Sequence, residues 1–473
     1  MKIMLLYPPL SAQERFSSAL GKAGGYTVPL GIFYLASILR KNEYNVKVMD
    51  AEAQNFDSEK VLAEMTDFKP DVLGISSTTV AFHRAVEIAE IVSNKFPHIQ
   101  MILGGPHITT NPKEILKSSV FNLGVVGEGE VTILELLEAF RNKTFFENIK
   151  GIVFKKNNEI IETERREFIN DLDILPFPAY DLIPDISVYT PPPGYYRKLP
   201  VANVITSRGC PYRCVFCDRA IFGQNIRQRS PQNIASEIIQ LFRKHGINEI
   251  DFIDDTFTIK NNRIRELFAI LDKENIHFSW RCRSRVNTVD EDILKFMKSK
   301  GCYQISFGIE SGNQEILKNL KKGITLEQIR KTISVSHKLG IKTSGYFMVG
   351  NLGETKQTME QTIKFAKKLP LDDVAVSINT PLPGSEEYEI AYKWGKLGDG
   401  EMDLNYWRKF NTYNPVFVPN GLTEQDIFYY HKKFYRNFYL RPKIIFAYMC
   451  RIFSSGGIIR LLKTIPFLFG KKQ

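Results

Sequence analysis

Apolar residues in the first third of the chain fall into short runs, separated by segments with helical spacing. The runs predict strands over 3–7, 46–50, 72–76, 101–103 and 124–126. Helical periodicity fills 30–40, 61–65, 85–92 and 132–140. Short buried strands alternating with helices imply a parallel, doubly wound sheet. Ligands of such sheets bind beyond the carboxyl ends of the strands. The loops there are Pro8-Pro9, Ser76-Ser77-Thr78-Thr79, Gly104-Gly105-Pro106-His107 and Gly127-Glu128-Gly129-Glu130.

Residues 146–200 break this rhythm. A hairpin is predicted over 149–163 with Lys156-Asn157-Asn158 at its turn, followed by a connector rich in proline (Pro176, Pro178, Pro184, Pro191-Pro192-Pro193). Prolines stiffen a link and reduce the freedom of the unfolded chain, so the domain boundary is placed here. From residue 200 the alternation resumes. Strands are expected at 202–206, 249–253, 278–282, 304–308, 343–348 and 374–379, with helices at 231–244, 262–273, 291–300, 325–339 and 356–368. Asp290 and Thr325 suit helix caps. Six consecutive βα units predict a partial (β/α)6 barrel, whose chemistry belongs at the carboxyl ends of its strands.

Composition and charge add less. Apolar and charged fractions are ordinary for a globular protein. No apolar run is long enough to span a bilayer. The net charge is +11, but residues 421–473 carry ten Lys/Arg against two acids and supply most of the excess. The remainder is nearly balanced and offers no footprint for nucleic acid. No secretory signal precedes the first strand and cysteines are few. The expected location is therefore cytoplasmic, with peripheral contact at the inner membrane face as one reading of the tail. Residues 428–439 and 443–469 mix aromatic, aliphatic and basic residues. They can pack on the barrel or lie in a membrane interface. Packing is expected for 421–450 and interfacial contact for 451–473.

The most informative chemistry is the run Gly-Cys-Pro-Tyr-Arg-Cys-Val-Phe-Cys, which places Cys210, Cys214 and Cys217 at C-x3-C-x2-C spacing. A structural zinc site wants four ligands, and His245 is too distant to be the fourth. A disulfide would strand one thiol. A [4Fe–4S] cluster ordinarily takes four cysteines, so three leave one iron open. Each expected barrel strand also ends in polar residues, including Asp254-Asp255-Thr256, Arg283-Ser284-Arg285, Glu310-Ser311 and the segment after Gly350. Cys282, Cys302 and Cys450 are isolated, which usually means buried packing. Cys282, at the end of the third strand, could face the cavity.

This cysteine run, with Phe216 before the third cysteine, resembles the radical S-adenosylmethionine (SAM) superfamily. The resemblance implies that Cys210, Cys214 and Cys217 hold a [4Fe–4S] cluster whose open iron takes the methionine end of SAM. It implies that Asp254 or Asp255 accepts from the SAM amino group and that Arg285 pairs with the carboxylate. Glu310 and Ser311 would hold the ribose and methionine end, and the backbone at Gly350 would line the adenine. A carboxylate suits an ammonium, and an arginine fork suits a carboxylate.

The first 145 residues resemble the Rossmann-like cobalamin-binding domain that precedes many such barrels, through Pro29-Leu30-Gly31 and the glycine loops. The implied cofactor-side residues are Ser76, Thr78, Gly104, Gly105, Pro106, His107, Gly127, Glu128, Gly129 and Glu130. The chain lacks an Asp-x-His-x-x-Gly motif, and His83 and His107 do not stand in that context, so cobalt without a histidine lower ligand is implied. The whole reads as α/β: a doubly wound domain (1–145), a hairpin and linker (146–200), a radical SAM barrel (201–400) and a helical C-terminal region (401–473).

The implied activity is reductive cleavage of SAM and, with cobalamin, methyl transfer to an unactivated carbon of a small-molecule or lipid-like substrate. The implied electron donor is of the flavodoxin or ferredoxin kind. Radical oxidation or cyclisation of a tetrapyrrole- or lipid-like substrate is a second reading. A non-enzymatic interaction protein on the same scaffold is a third.

Overall fold

The computed structural model describes residues 1–15, 25–183, 185–192, 194–398 and 403–446. The expected alternation is present in both halves. In the first, β1 (Lys2–Tyr7), β2 (Asn45–Asp50), β3 (Val72–Ser76), β4 (Gln100–Gly104) and β5 (Leu123–Val125) form a parallel sheet in the order 2-1-3-4-5. Its strands read as continuous apolar runs because helices cover both faces. Met4, Leu6, Leu73 and Ile75 face the helices Ser58–Phe68 and Phe82–Lys95. Ile3, Leu5 and Val72 face Leu30–Lys41 and Gly129–Asn142.

The hairpin corrects the expected layout. Its strands β6 (Ile152–Lys156) and β7 (Glu159–Glu162) turn at Asn157-Asn158, both with positive φ. They do not stand in a linker. β6 pairs antiparallel with β5, Leu123 opposite Phe154, so the first sheet has seven strands and runs on past residue 145.

The second sheet is wholly parallel: β8 (Val201–Val204), β11 (Glu249–Phe252), β12 (Ser279–Ser284), β13 (Cys302–Glu310), β14 (Lys342–Val349) and β15 (Asp373–Ile378), neighbours in that order. Between β8 and β11 lies a small antiparallel ribbon, β9 (Ser207–Arg208) with β10 (Arg227–Gln228). The helix caps fall where expected. Asp290 accepts from the Ile293 amide at 2.9 Å, and Thr325 forms a capping box with Gln328.

An open barrel leaves strand edges that need cover. At β15 the cover is the helix Glu424–Tyr439. Its Tyr435 hydroxyl accepts from the Val376 amide at 2.9 Å and donates to the Val376 carbonyl at 3.2 Å, while Ile427, Phe434 and Phe438 join the core. This stretch packs on the barrel, as expected for 421–450. Residues 451–473, where interfacial contact was expected, and Cys450 lie outside the described residues. One core runs from the helix Leu30–Lys41 through Ala179, Tyr180 and Tyr189 of the connector into β8 and the helix Pro231–His245. The two sheets are therefore held by shared packing. No helix among the described residues is long and apolar enough to cross a membrane.

Candidate active site

The cysteine loop leaves the sheet after β8 and is pinned along its length. Gly209 has φ +87°, and a Cβ there would lie 2.4 Å from the Asn225 carbonyl oxygen, so only glycine fits. The Val215 amide donates to the Leu320 carbonyl at 3.1 Å, and the Glu387 amide donates to the Val215 carbonyl at 2.9 Å. Cys214 is buried, Cys210 half-buried and Cys217 exposed. Around Cys217, neighbouring groups still exclude enough water to raise its thiol to about 12, with the Cys214, Asp255 and Cys210 charges adding and Lys322 opposing. Among the described residues no three His, Cys, Asp or Glu side chains converge as a single metal ion would require. Zinc ligands must meet at about 2.0–2.3 Å from one centre, whereas ligands to separate irons need not. Three thiols on one short loop are the donor set that a [4Fe–4S] cluster with one open iron would take.

The barrel strand ends sort the expected SAM ligands. Asp254 is almost wholly buried and already engaged: it accepts from the Thr206 amide at 3.2 Å, the Thr206 hydroxyl at 2.7 Å and the Ser207 hydroxyl. It ties β11 to the start of the cysteine loop. Asp255 is exposed beside it and makes no side-chain hydrogen bond or ion pair among the described residues, which leaves it free for an ammonium. Burial and the Asp254 charge raise its carboxyl, against Arg283. Arg285 stacks on the Tyr212 ring at 3.7 Å, donates from Nη1 to Cys214 Sγ at 3.3 Å and reaches the Lys322 carbonyl. It belongs to the cluster loop as much as to any carboxylate.

On β13 a bulge at Gly308/Glu310 puts Glu310 at φ +64° and turns its carboxylate onto Lys322 Nζ at 2.7 Å. Lys322 also lies 5.5 Å from the centre of the Phe216 ring. Ser311 is fully buried and bonded to Thr362 at 3.1 Å, a structural contact. Gly350 has φ +81°, and Asn379 holds its carbonyl at 3.4 Å. Behind it, burial raises Glu354 and Glu387 each to about 7. Cys282 takes the buried packing expected of an isolated cysteine. It is completely buried in the core with Trp280 and does not face the cavity; on β12 it is Arg281 and Arg283 that line the cavity.

Facing this rim are the carboxyl ends of the first sheet. A cavity of about 670 Å³ lies between the halves. Tyr7, Asp50, Thr78 and Pro106 line it from the first sheet, Asp251, Arg283 and Tyr346 from the barrel, and Asp218, next to Cys217, from the cysteine loop. Gly105 has φ +96°, and a Cβ there would lie 2.8 Å from the Ser77 nitrogen and 2.9 Å from Ser76 Oγ. The Gly104 carbonyl accepts from the Ser77 amide at 3.0 Å. Thr78 Oγ1 is buried without a partner, and nothing lies within 4 Å of a Cβ built on Gly127. These features fit a large flat ligand approaching backbone.

Three expected cofactor residues are used otherwise. His107 is buried between Phe82 (4.4 Å) and Trp407 (4.9 Å), with Nδ1 on the Thr79 hydroxyl at 3.1 Å. Burial lowers it to about 3, so it stays neutral inside the fold. Glu128 and Glu130 are buried in ion pairs with Arg208 and Arg227 of the β9–β10 ribbon. Gly129 opens the following helix, against Leu35. The sequence reading missed Lys322 and Tyr212, which carry no motif of their own.

Residues 204–366 match the family model described as the radical SAM superfamily, and residues 17–137 match the B12 binding domain. A Pyrococcus horikoshii protein named uncharacterized methyltransferase PH0819 is 36% identical over 463 residues, spanning 97% of this chain and 96% of its own. Cytidylyl-2-hydroxyethylphosphonate methyltransferase of Streptomyces wedmorensis is 28% identical, spanning 81% of this chain and 85% of its own. The solved structure of the cobalamin-dependent S-adenosylmethionine radical enzyme OxsB, with aqua-cobalamin and S-adenosylmethionine bound, shares the fold. Its TM-score is 0.76 over 98% of this chain and 71% of that one, at 17% identity.

Proposed function

Because this chain belongs to the radical SAM superfamily, with a B12-binding domain ahead of its barrel, we propose that it methylates an unactivated carbon of a small-molecule substrate held between its two halves. The observation that carries this reading is the shared cavity. Asp218, the residue after Cys217, lines the same space as Tyr7, Thr78 and Pro106 at the carboxyl ends of β1, β3 and β4. When bound, the cluster and SAM supply one-electron cleavage for hydrogen abstraction, and cobalamin supplies the methyl group.

The chain's own residues bind, orient and exclude water. Cys210, Cys214 and Cys217 ligate the cluster. Asp255 would accept from the SAM ammonium, and Arg285 would steady Cys214 and lend its charge to the carboxylate. Glu310, set by Lys322, would serve the ribose and methionine end, and the backbone at Gly350 would line the adenine. The glycine backbone at Gly105 and Gly127, with Thr78, lets the corrin approach. Pro192, Leu382, Pro383 and Phe410 wall the cavity against water.

The electron donor in this reading is a flavodoxin- or ferredoxin-like protein. Exposed Phe428 and Tyr429 on a helix that also carries Lys432 and Arg436, with exposed Leu440 just past its end, support contact of a cytoplasmic protein with an anionic membrane face. Failure of the full-length protein to bind anionic liposomes would remove that part.

The central test is anaerobic reconstitution. The expected result is iron–sulfur and corrin absorbance together with 5′-deoxyadenosine from SAM under strong reductant. Candidate substrates should gain the mass of one methylene. A loss of hydrogens instead would mark oxidation or ring formation. A protein that takes up zinc and leaves SAM intact would overturn the enzymatic reading.

A further inference from the structure

Four buried charges join the two halves at one point. Arg208 donates from Nη1 to Glu128 at 2.8 Å and from Nη2 to Glu130 at 2.5 Å. Arg227 Nη1 lies 2.9 Å from both oxygens of Glu128. The Ile169 amide adds a further donor to Glu128 at 2.8 Å, and the Ile169 carbonyl accepts from Arg227 at 2.7 Å. None of the four side chains is more than 8% exposed.

Their placement is what matters. Glu128 and Glu130 sit in the loop at the carboxyl end of β5, beside Gly127. Arg208 stands two residues before Cys210. On the β9–β10 ribbon, Arg208 pairs directly opposite Arg227. Like charges directly opposed across a strand pair destabilise it, and a buried guanidinium needs a counter-charge. On the ribbon itself neither requirement is met. The two carboxylates that neutralise it arrive from the other sheet. The Arg208 guanidinium also lies 5.6 Å from the centre of the Tyr34 ring, on a helix of the first half.

We propose that Glu128, Glu130, Arg208 and Arg227 form a charge latch that positions the cluster loop relative to the cobalamin-side loop, and that the ribbon whose connecting loop carries Cys210 reaches its working geometry only when the first domain supplies those carboxylates. These are positioning residues, acting through the loops they join. The consequence for the cofactors rests on the proposed function; the latch itself does not.

The test uses the full-length protein in two states. Before cofactors are loaded, hydrogen exchange is followed at the amides of 127–129 and 207–210. Glu130→Gln keeps shape and removes one charge, and Glu130 contacts only Arg208 in the latch. Both loops should exchange at least about tenfold faster, although they belong to different sheets, while β14 is unchanged. Arg208→Lys, which keeps charge and loses the fork, should do the same. After loading, the magnetic interaction between the reduced cluster and cobalt(II) corrin should weaken or become heterogeneous in both variants, with iron and corrin content retained.

Faster exchange at one loop only, or loosened loops with an unchanged interaction, overturns the proposal. Should Glu130→Gln lose iron, Glu130→Asp, which keeps the charge and shortens the reach, is measured the same way, with the same outcomes deciding. If the unaltered protein binds neither iron nor corrin, the functional reading fails, and the exchange arm still decides the latch.

Discussion

Arg285 donates to Cys214 Sγ at 3.3 Å with its guanidinium laid on the Tyr212 ring at 3.7 Å. A cation thus stands beside a cluster cysteine before any substrate carboxylate arrives. In the proposed reading it would steady that cysteine and stand ready for the SAM carboxylate. Replacing Arg285 by alanine removes a charge-assisted hydrogen bond worth about 1.5–3 kcal/mol. We expect iron binding to persist and 5′-deoxyadenosine formation to fall by roughly 10- to 150-fold. Lysine should rescue it only in part, because a point charge cannot stack on Tyr212. Iron content and product yield, measured on the same preparations, separate loss of the cluster from loss of SAM alignment.

Asp254 and Asp255 are adjacent and should fail in different ways. Asp254 holds the Thr206 and Ser207 groups that begin the cysteine loop. Asp254→Asn turns an acceptor into a donor facing donors, and should destabilise the fold by about 1–3 kcal/mol. Asp255→Asn touches no structural partner. It should leave the denaturation midpoint in place and weaken SAM binding. Midpoints and SAM titrations on the two variants check the division. A destabilised Asp255→Asn protein with unchanged SAM affinity would contradict it.

Gly105 is the residue at the cofactor-side loops that least tolerates a side chain. At φ +96° a Cβ would press on the Ser77 amide nitrogen, which is backbone and cannot swing aside. Gly105→Ala should lose about 1–3 kcal/mol of stability through local strain and should lower corrin retention, read as the corrin-to-protein absorbance ratio. Gly127→Ala, with open space around its Cβ, should cost less stability but obstruct the same approach.

Alternation of short apolar runs with helical spacing was enough to place every strand of the barrel and the five parallel strands of the first sheet, because each is set by its own local pattern. What the sequence could not show came from pairing across distance. The strand at Ile152–Lys156 looks the same whether it stands in a linker or extends a sheet; only its register against Leu123–Val125 decides. Glu128 and Glu130 read as loop acids until Arg208 and Arg227, some eighty to a hundred residues on, are brought to them. The face of Cys282 stayed open in the sequence because β12 is buried on both sides, and a single-residue change of phase exchanges the core face for the cavity. The thiol triad was legible because its three residues lie within eight positions of one another.

Glu354 and Glu387 make stability depend on pH. Both are buried near the loops after β14 and β15, and burial raises each from 4.5 to about 7. Glu354 accepts from the Asn351 amide at 2.9 Å, and Glu387 accepts from Asn379 at 2.8 Å, but these bonds do not offset the loss of water. A carboxyl whose folded pKa lies above its unfolded value binds its proton more tightly in the native state. Its contribution to stability is therefore complete below about pH 4.5 and is lost progressively as pH rises through about 7. At about 1.4 kcal/mol per unit, each group is worth on the order of 3 kcal/mol across that window. Chemical denaturation of the full-length protein should thus give a lower midpoint at pH 8.5 than at pH 6. Glu354→Gln, which keeps the donor-facing carbonyl and cannot ionise, should flatten about half of the slope and raise the midpoint at pH 8.5. A Glu354→Gln protein with the same slope as the unaltered chain would show that this carboxyl does not titrate in the window.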